Sequence, residues 1–180
     1  PPIDRRFSAS LKVLTVGQYF RDYDALVETA RSLQDNPGIQ FTVLSRVLVP
    51  IGVPNNVRVL HYVSDDELVA LYQDSDLLFL PMNKATANNA LVEGMACGLP
   101  VLATDLGGTR SNAPGDECLK FPKNDPEVIK REMLKLKDNL ERRQYMSACA
   151  RDRAETFAWP LIAEQTVTSY RKAIAYRQSR

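Results

Sequence analysis

Glu93 is the carboxylate whose neighbours best suit ligand chemistry. In Ala85-Thr86-Ala87-Asn88-Asn89-Ala90-Leu91-Val92-Glu93 a polar loop runs into a helix. The amides of Asn88, Asn89 and Ala90 fall at the positive end of that helix, where unpaired N–H groups make a seat for phosphate. Glu93 lies one turn further on, with Gly94, Ala96 and Gly98 beside it. Small neighbours allow a ligand or another backbone to come close, and a carboxylate there can accept two hydrogen bonds from ribose hydroxyls. The plainer alternative is a surface glutamate next to a small-residue packing seam.

Arg21 is the cation of the loop Gly17-Gln18-Tyr19-Phe20-Arg21-Asp22-Tyr23. A guanidinium can pair two phosphate oxygens through parallel hydrogen bonds. Its alternative is an exposed side chain answering Asp22 or Asp24. Tyr62 and Val63 follow a short apolar run, where Tyr62 suits an edge of the core. His61 has no carboxylate at a spacing that would orient it as a general base. Thr109 and Arg110, after Gly107-Gly108, stand either near a ligand or simply in a loop.

The remaining composition narrows the field. A formal net charge of +1 provides no global field toward nucleic acid. Cys97, Cys118 and Cys149 are odd in number and widely spaced, so they read as plain thiols of a reducing compartment. One histidine without partners at ligand spacing excludes a zinc site of ordinary pattern. No apolar run approaches about 18 residues, and the start lacks a secretory pattern. A cytoplasmic protein is therefore expected. The basic run Lys130, Arg131, Lys135 and Lys137 reads as a solvated helix face. Attachment to the inner face of a membrane is its lesser reading. Beginning at Pro1 without Met, the chain is expected to be a fragment of a longer protein.

These residues need a scaffold, and the order of apolar runs supplies one. Strand-length runs at Leu11–Val16, Gln40–Leu44, Val57–Leu60, Leu77–Leu80, Val101–Thr104 and Cys118–Phe121 alternate with helical patterns. Tyr23, Leu26, Val27, Ala30 and Leu33 mark the first helix. Ser64 through Glu67 has capping-box spacing and opens a second, with Leu68, Leu71 and Tyr72 as its buried stripe. Asn88 to Ala96 forms a third, closed by Gly98. Asp125-Pro126 starts a helical tail expected to break near Asn139 and at Trp159-Pro160. The last helix, in residues 158–180, is expected to bury Ile162, Thr166, Tyr170 and Ala173. The pattern predicts one α/β domain over 1–180, residues 1–10 being an extension, with a Rossmann-like parallel sheet flanked by helices. Ligands of such sheets bind at the carboxyl ends of strands, where strand order reverses. The absence of GxGxxG argues against an NAD site. Gly17 and Gln18 stand where a receiver-type signalling domain needs acids.

The run Leu91-Val92-Glu93-Gly94-Met95-Ala96-Cys97-Gly98-Leu99-Pro100-Val101-Leu102-Ala103-Thr104-Asp105, followed by Gly107-Gly108, resembles the signature of family 4 glycosyltransferases. The approach from Val63 to Asp76, the first strand with Gly17, and the Trp159 helix are similar to the same family. The resemblance implies one half of a GT-B architecture: the carboxyl-terminal, donor-binding domain, closing on an amino-terminal acceptor domain that is missing here. It implies retaining transfer from a nucleotide-diphosphate sugar, with no bound metal or other cofactor required. Glu93 then matches the second of two motif glutamates, the one on the ribose hydroxyls. Ala85, eight residues earlier, stands where the first glutamate would contact the transferred sugar. Either Lys84, Asn88 or Asn89 meets that sugar differently, or the donor preference is altered, or activity is lost. Gln18 sits where the family often has an arginine, which leaves Arg21 for the diphosphate. Gly17 and Gln18 border it, and the base lies against Tyr62 and Val63. A non-catalytic nucleotide-sugar-binding or partner-binding module is the alternative.

Overall fold

The structure, a computed structural model, describes residues 7–47, 52–84 and 88–178. Six parallel strands form one sheet in the order β3-β2-β1-β4-β5-β6. They are β1 (Leu11–Val16), β2 (Ile39–Leu44), β3 (Val57–Leu60), β4 (Leu77–Leu80), β5 (Val101–Thr104) and β6 (Cys118–Phe121). Between and after them lie α1 (Tyr23–Ser32), α2 (Asp65–Asp74), α3 (Asn89–Ala96), α4 (Gly107–Asn112), α5 (Pro126–Asp138), α6 (Leu140–Glu155) and α7 (Trp159–Gln178). The chain lays β2 and β3 on one side of β1 and β4 to β6 on the other, so strand order reverses between β1 and β4.

Strands buried on both faces need apolar residues at successive positions; β4 has them throughout, and β5 up to the buried Thr104. Side-chain alternation then sorts the residues into two cores. Leu11, Val13, Leu77, Phe79 and Leu102 face α1 and α5, where Leu26, Ile129 and Met133 complete one cluster. Leu14, Leu78, Leu80, Val101 and Ala103 face the other way, against Tyr72, Leu91, Met95 and Ala150.

Local chemistry sets the helix ends. Ser64 accepts from Glu67 N and the Glu67 carboxylate accepts from Ser64 N at 2.7 Å, completing the capping box. That bond holds the Glu67 carboxyl below its usual range. Asp125 caps α5 ahead of Pro126. Asn139 closes α5 and opens α6, its side chain accepting from Arg142 N at 2.8 Å. At the end of α3, Leu99 N donates to Gly94 O and Gly98 N to Met95 O, a Schellman turn that needs the left-handed φ of +68° at Gly98.

One seam of the sheet is open. β1 pairs with β2 at all six positions, from Leu11↔Ile39 to Val16↔Leu44. With β4 it pairs only at Val13↔Leu77 and Leu14↔Leu78. Beyond those, Thr15 Oγ1 donates to Phe79 O at 2.7 Å, so a side chain spans the parting strands.

Two expectations require correction. Thr109 and Arg110 do not lie in a loop: they belong to α4, in which Thr109 is buried and Arg110 turns back to Asp105. In α7 no residue is buried; Thr166, Tyr170 and Ala173 are exposed and Ile162 is half-buried. The apolar spacing there marks a face that wants cover, and the described residues do not supply it.

Candidate functional site

A cleft of about 470 Å³ opens at the carboxyl ends of β1 and β4, where the strand order reverses. The loop after β1 forms one wall, Gly17 to Arg21; Met82 and Lys84, after β4, form the floor and one end. The start of α3 makes the other wall through Asn88, Asn89, Ala90 and Glu93. A smaller hollow of about 260 Å³ continues from it past Gly17 and Gln18 to His61, Tyr62 and Val63, beyond β3. Residues far apart in sequence thus line one continuous trough: Glu93, Arg21, Gly17, Gln18, Asn88, Asn89 and Ala90 in the larger part, Tyr62 and Val63 in the smaller. Ala85 lies outside the described residues.

Arg21 is not a dangling cation. Its Nε and Nη2 both donate to Val16 O, at 3.1 and 2.9 Å, and Nη2 also reaches Asn88 Oδ1 at 3.2 Å. The expected alternative, an exposed arginine paired with Asp22 or Asp24, is not what the side chain does. A flat fork that takes one carbonyl through two donors leaves Nη1 as the end with spare capacity; it lies 3.4 Å from Tyr19 O. Burial lowers the Arg21 pKa, yet a guanidinium stays charged at any ordinary pH. The fold around it is narrow. Gly17 has φ +127°, and a Cβ there would lie 2.7 Å from Arg21 Nη2. Glycine is required on both counts.

Asn88 begins α3 without capping it by its side chain. Its Oδ1 serves Arg21, and its Nδ2 points to Met82 Sδ at 3.3 Å. The first amide to donate back within this turn is Leu91 N, to Asn88 O at 3.1 Å. The amides of Asn89 and Ala90 precede it, in the first turn where intrahelical acceptors run out, and both residues line the cleft. Glu93 is exposed at the cleft wall, and its Oε2 accepts from the Tyr72 hydroxyl at 2.9 Å. Burial and the Glu93 carboxylate push the Tyr72 pKa upward, so the phenol stays a donor.

The base-side hollow is built differently. Tyr62 is 78% exposed, which disposes of an edge-of-core role, and Arg46 stacks over its ring at 5.4 Å. His61 Nδ1 meets Ser45 O at 3.0 Å. That contact fixes the ring as part of the strand-end framework. Tyr23 ties this side to the cleft: its hydroxyl meets Gly17 O and lies 2.7 Å from Ser45 Oγ.

Sequence reasoning missed the support beneath the site. Asn124 donates from Nδ2 to Asp22 Oδ2 at 2.8 Å and to Met82 O at 3.2 Å, and its Oδ1 accepts from Thr104 Oγ1 at 2.6 Å. Thr104 in turn accepts from Met82 N at 2.7 Å, while Asp22 caps α1 through Ala25 N. Four segments distant in sequence are bound into one floor. The only hint in the sequence was Asp22 at a helix start. Phe20, on the rim, has a left-handed φ of +60°, its carbonyl accepting from Asn83 N. A bulky residue there is strained.

Thr109 and Arg110 do not line the trough. Arg110 pairs with Asp105 at 2.7 Å on an exposed surface, a contact of small energetic weight. The basic run of α5 is answered locally: Arg131 and Lys135 pair with Glu132, and Lys137 with Asp138. Among the described residues no helix is long and apolar enough to cross a membrane.

Residues 10–139 match the family model described as glycosyl transferases group 1. The D-inositol 3-phosphate glycosyltransferase of Corynebacterium glutamicum (strain R) is 31% identical over 126 residues, which are 69% of this chain and 30% of that protein. The enzyme of the same name from Salinispora tropica is 28% identical over 141 residues, 77% of this chain and 29% of its own length. The chain therefore spans about 30% of these curated relatives. Among solved structures, sucrose-phosphate synthase from Thermosynechococcus elongatus superposes with TM-score 0.77 at 20% identity, over 94% of this chain and 47% of that one. A glycosyltransferase from Rickettsia africae ESF-5 gives 0.78 at 16% identity, over 93% and 48%. At those identities the likeness concerns the fold, a Rossmann-like half of the GT-B architecture.

Proposed function

The chain belongs to the glycosyl transferases group 1 family, and from that premise we propose that it is the donor-binding half of an enzyme that transfers a sugar from a nucleotide-diphosphate sugar. Transfer proceeds with retention at the anomeric carbon. The observation that carries this reading is the trough at the β1–β4 reversal, with helix-start amides, a guanidinium and Glu93 on the same cleft. The diphosphate rests on the amides of Asn89 and Ala90 and on Arg21 Nη1. Glu93 takes the ribose, Gly17 and Gln18 pass beneath it, and the base lies in the hollow of Tyr62 and Val63. The phosphate charge is met by helix-end dipoles and a fixed cation, so the reading asks nothing of a bound metal.

The acceptor is held by the remainder of the larger protein. The family's curated relatives are more than three times as long as the stretch matched here, and the bare apolar face of α7 supports contact with further protein. The second reading, a non-catalytic nucleotide-sugar-binding or partner-binding module, has one observation in its favour: Ala85 occupies the place of the first motif glutamate.

The test is calorimetry with UDP, GDP, ADP and their sugars on the wild type and Glu93→Ala. One nucleotide binds, and its affinity falls roughly tenfold or more in the variant, as expected for lost hydrogen bonds to a charged group. Equal affinities in the two proteins reject the ribose assignment. Hydrolysis or transfer of the bound sugar by the full-length enzyme separates the first reading from the second.

A further inference from the structure

Tyr72 is 1% exposed, the most deeply placed aromatic ring near the cleft, yet its hydroxyl reaches a carboxylate on the cleft wall. The ring sits on α2, packed in the cluster of Leu78, Leu91 and Met95 between the sheet and α3. α3 lies unusually close here. A Cβ on Gly94 would be 2.6 Å from Leu78 Cδ2 and 3.6 Å from Tyr72 Cε1. A side chain at position 94 would press on Leu78, so glycine lets the helix sit close to the sheet. That approach brings Glu93 Oε2 within 2.9 Å of the phenol.

We propose that Tyr72 is a positioning residue for Glu93, holding its carboxylate in the orientation that receives a ribose hydroxyl. The proposal rests on the ribose assignment made above. An exposed glutamate has three free torsions, the last of them broad, and loses that freedom when a ligand immobilises it. A ring locked in a close-packed core has one place for its hydroxyl, so the bond to Oε2 fixes the carboxylate plane in advance. A carboxylate oxygen accepts more than one hydrogen bond, so both oxygens stay able to receive ribose hydroxyls. Glu93 consequently meets the ribose with its carboxylate plane already set, backed by a buried donor that its own negative charge helps keep protonated. A purely structural account makes the opposite assignment: the buried phenol borrows the nearest acceptor, and ligand binding is indifferent to it.

The two accounts separate in a four-protein comparison: wild type, Tyr72→Phe, Glu93→Ala and the double variant. Each is titrated with the best-binding nucleoside diphosphate of the panel and with its 2′,3′-dideoxyribose form, and each is melted thermally. Phenylalanine keeps the ring and its packing. Tyr72→Phe is expected to lose roughly tenfold in affinity for the ribose form while binding the dideoxy form as wild type does. The double variant is expected to bind no worse than Glu93→Ala, because the two residues act as one unit. A Tyr72→Phe protein that keeps the wild-type preference for ribose while Glu93→Ala loses it overturns the positioning role alone. Independent, additive losses overturn it too. A Glu93→Ala protein that keeps the preference removes the ribose assignment itself, and the role of Tyr72 with it.

Discussion

Arg21 and Asn88 meet across the cleft, Nη2 to Oδ1 at 3.2 Å, joining the loop after β1 to the residue that precedes α3 across 67 positions of sequence. Because the same guanidinium grips Val16 O through two donors, the wall with the cation and the wall with the helix amides form one rigid piece. Lysine has the charge but not the fork. Arg21→Lys should therefore weaken nucleotide diphosphate binding by roughly tenfold or more, and calorimetry at constant salt measures it. Full retention of affinity would show that only the charge counts.

Gly17 answers to two constraints, a backbone angle and a nearby guanidinium. Gly17→Ala is expected to destabilise the protein by about 1–3 kcal/mol from backbone strain, with the close contact adding to it. Removing the guanidinium as well, in Gly17→Ala with Arg21→Ala, relieves the contact and leaves the strain. Urea unfolding of both variants, corrected for Arg21→Ala alone, checks that ordering.

Asn124 supports the floor through Asp22, Met82 and Thr104. Its replacement by alanine leaves a capping carboxylate and a buried hydroxyl each short of a partner. The expected cost is about 1–3 kcal/mol per group so orphaned, seen as a lower urea midpoint at unchanged slope. Binding should fall as well, since both cleft loops spring from this floor. A variant as stable as the wild type would contradict the network.

Cys118 is 5% exposed, and burial pushes its thiol up to about 12. Since the thiolate is the reactive form, Cys118 should resist alkylation at pH 8 in the native protein and react in denaturant. Cys97 and Cys149 are half-buried and should be modified first. Mass spectrometry of peptides after timed labelling reads the order directly.

How the last helix behaves follows from its lack of cover. Tyr170→Ser and Ile174→Ser remove apolar groups that are 67% and 57% exposed, so each should shift the stability of this chain by less than about 0.5 kcal/mol. In the full-length protein the same changes should lower the melting temperature by several degrees. Equal, small effects in both settings would mean that the face meets nothing.

The strands, most helix limits and the trough's position could be read from apolar runs, caps and the parallel-sheet rule. What stayed hidden has physical causes. Six residues beginning with two glycines carry little helical signal, so α4 was not legible in the sequence. The spacing of Ile162, Thr166, Tyr170 and Ala173 predicted a buried stripe, which the described residues leave exposed or half-buried, because periodicity alone does not say whether a face is covered. Arg21 and Glu93 were legible as chemical types. Their partners, Val16 O, Asn88 and Tyr72, were not, because contacts over such separations depend on the finished fold.

The parting of β1 from β4 has a consequence for engineering. Past Leu14↔Leu78 the ladder stops, but the segments that follow stay tied: Thr15 Oγ1 to Phe79 O, Asp22 N to Pro81 O, Asn83 N to Phe20 O, with an antiparallel bridge between Arg21 and Met82. The two lips of the opening are thus fastened to each other, and a relative's 17–22 stretch should be exchanged together with its 81–84 partner rather than alone.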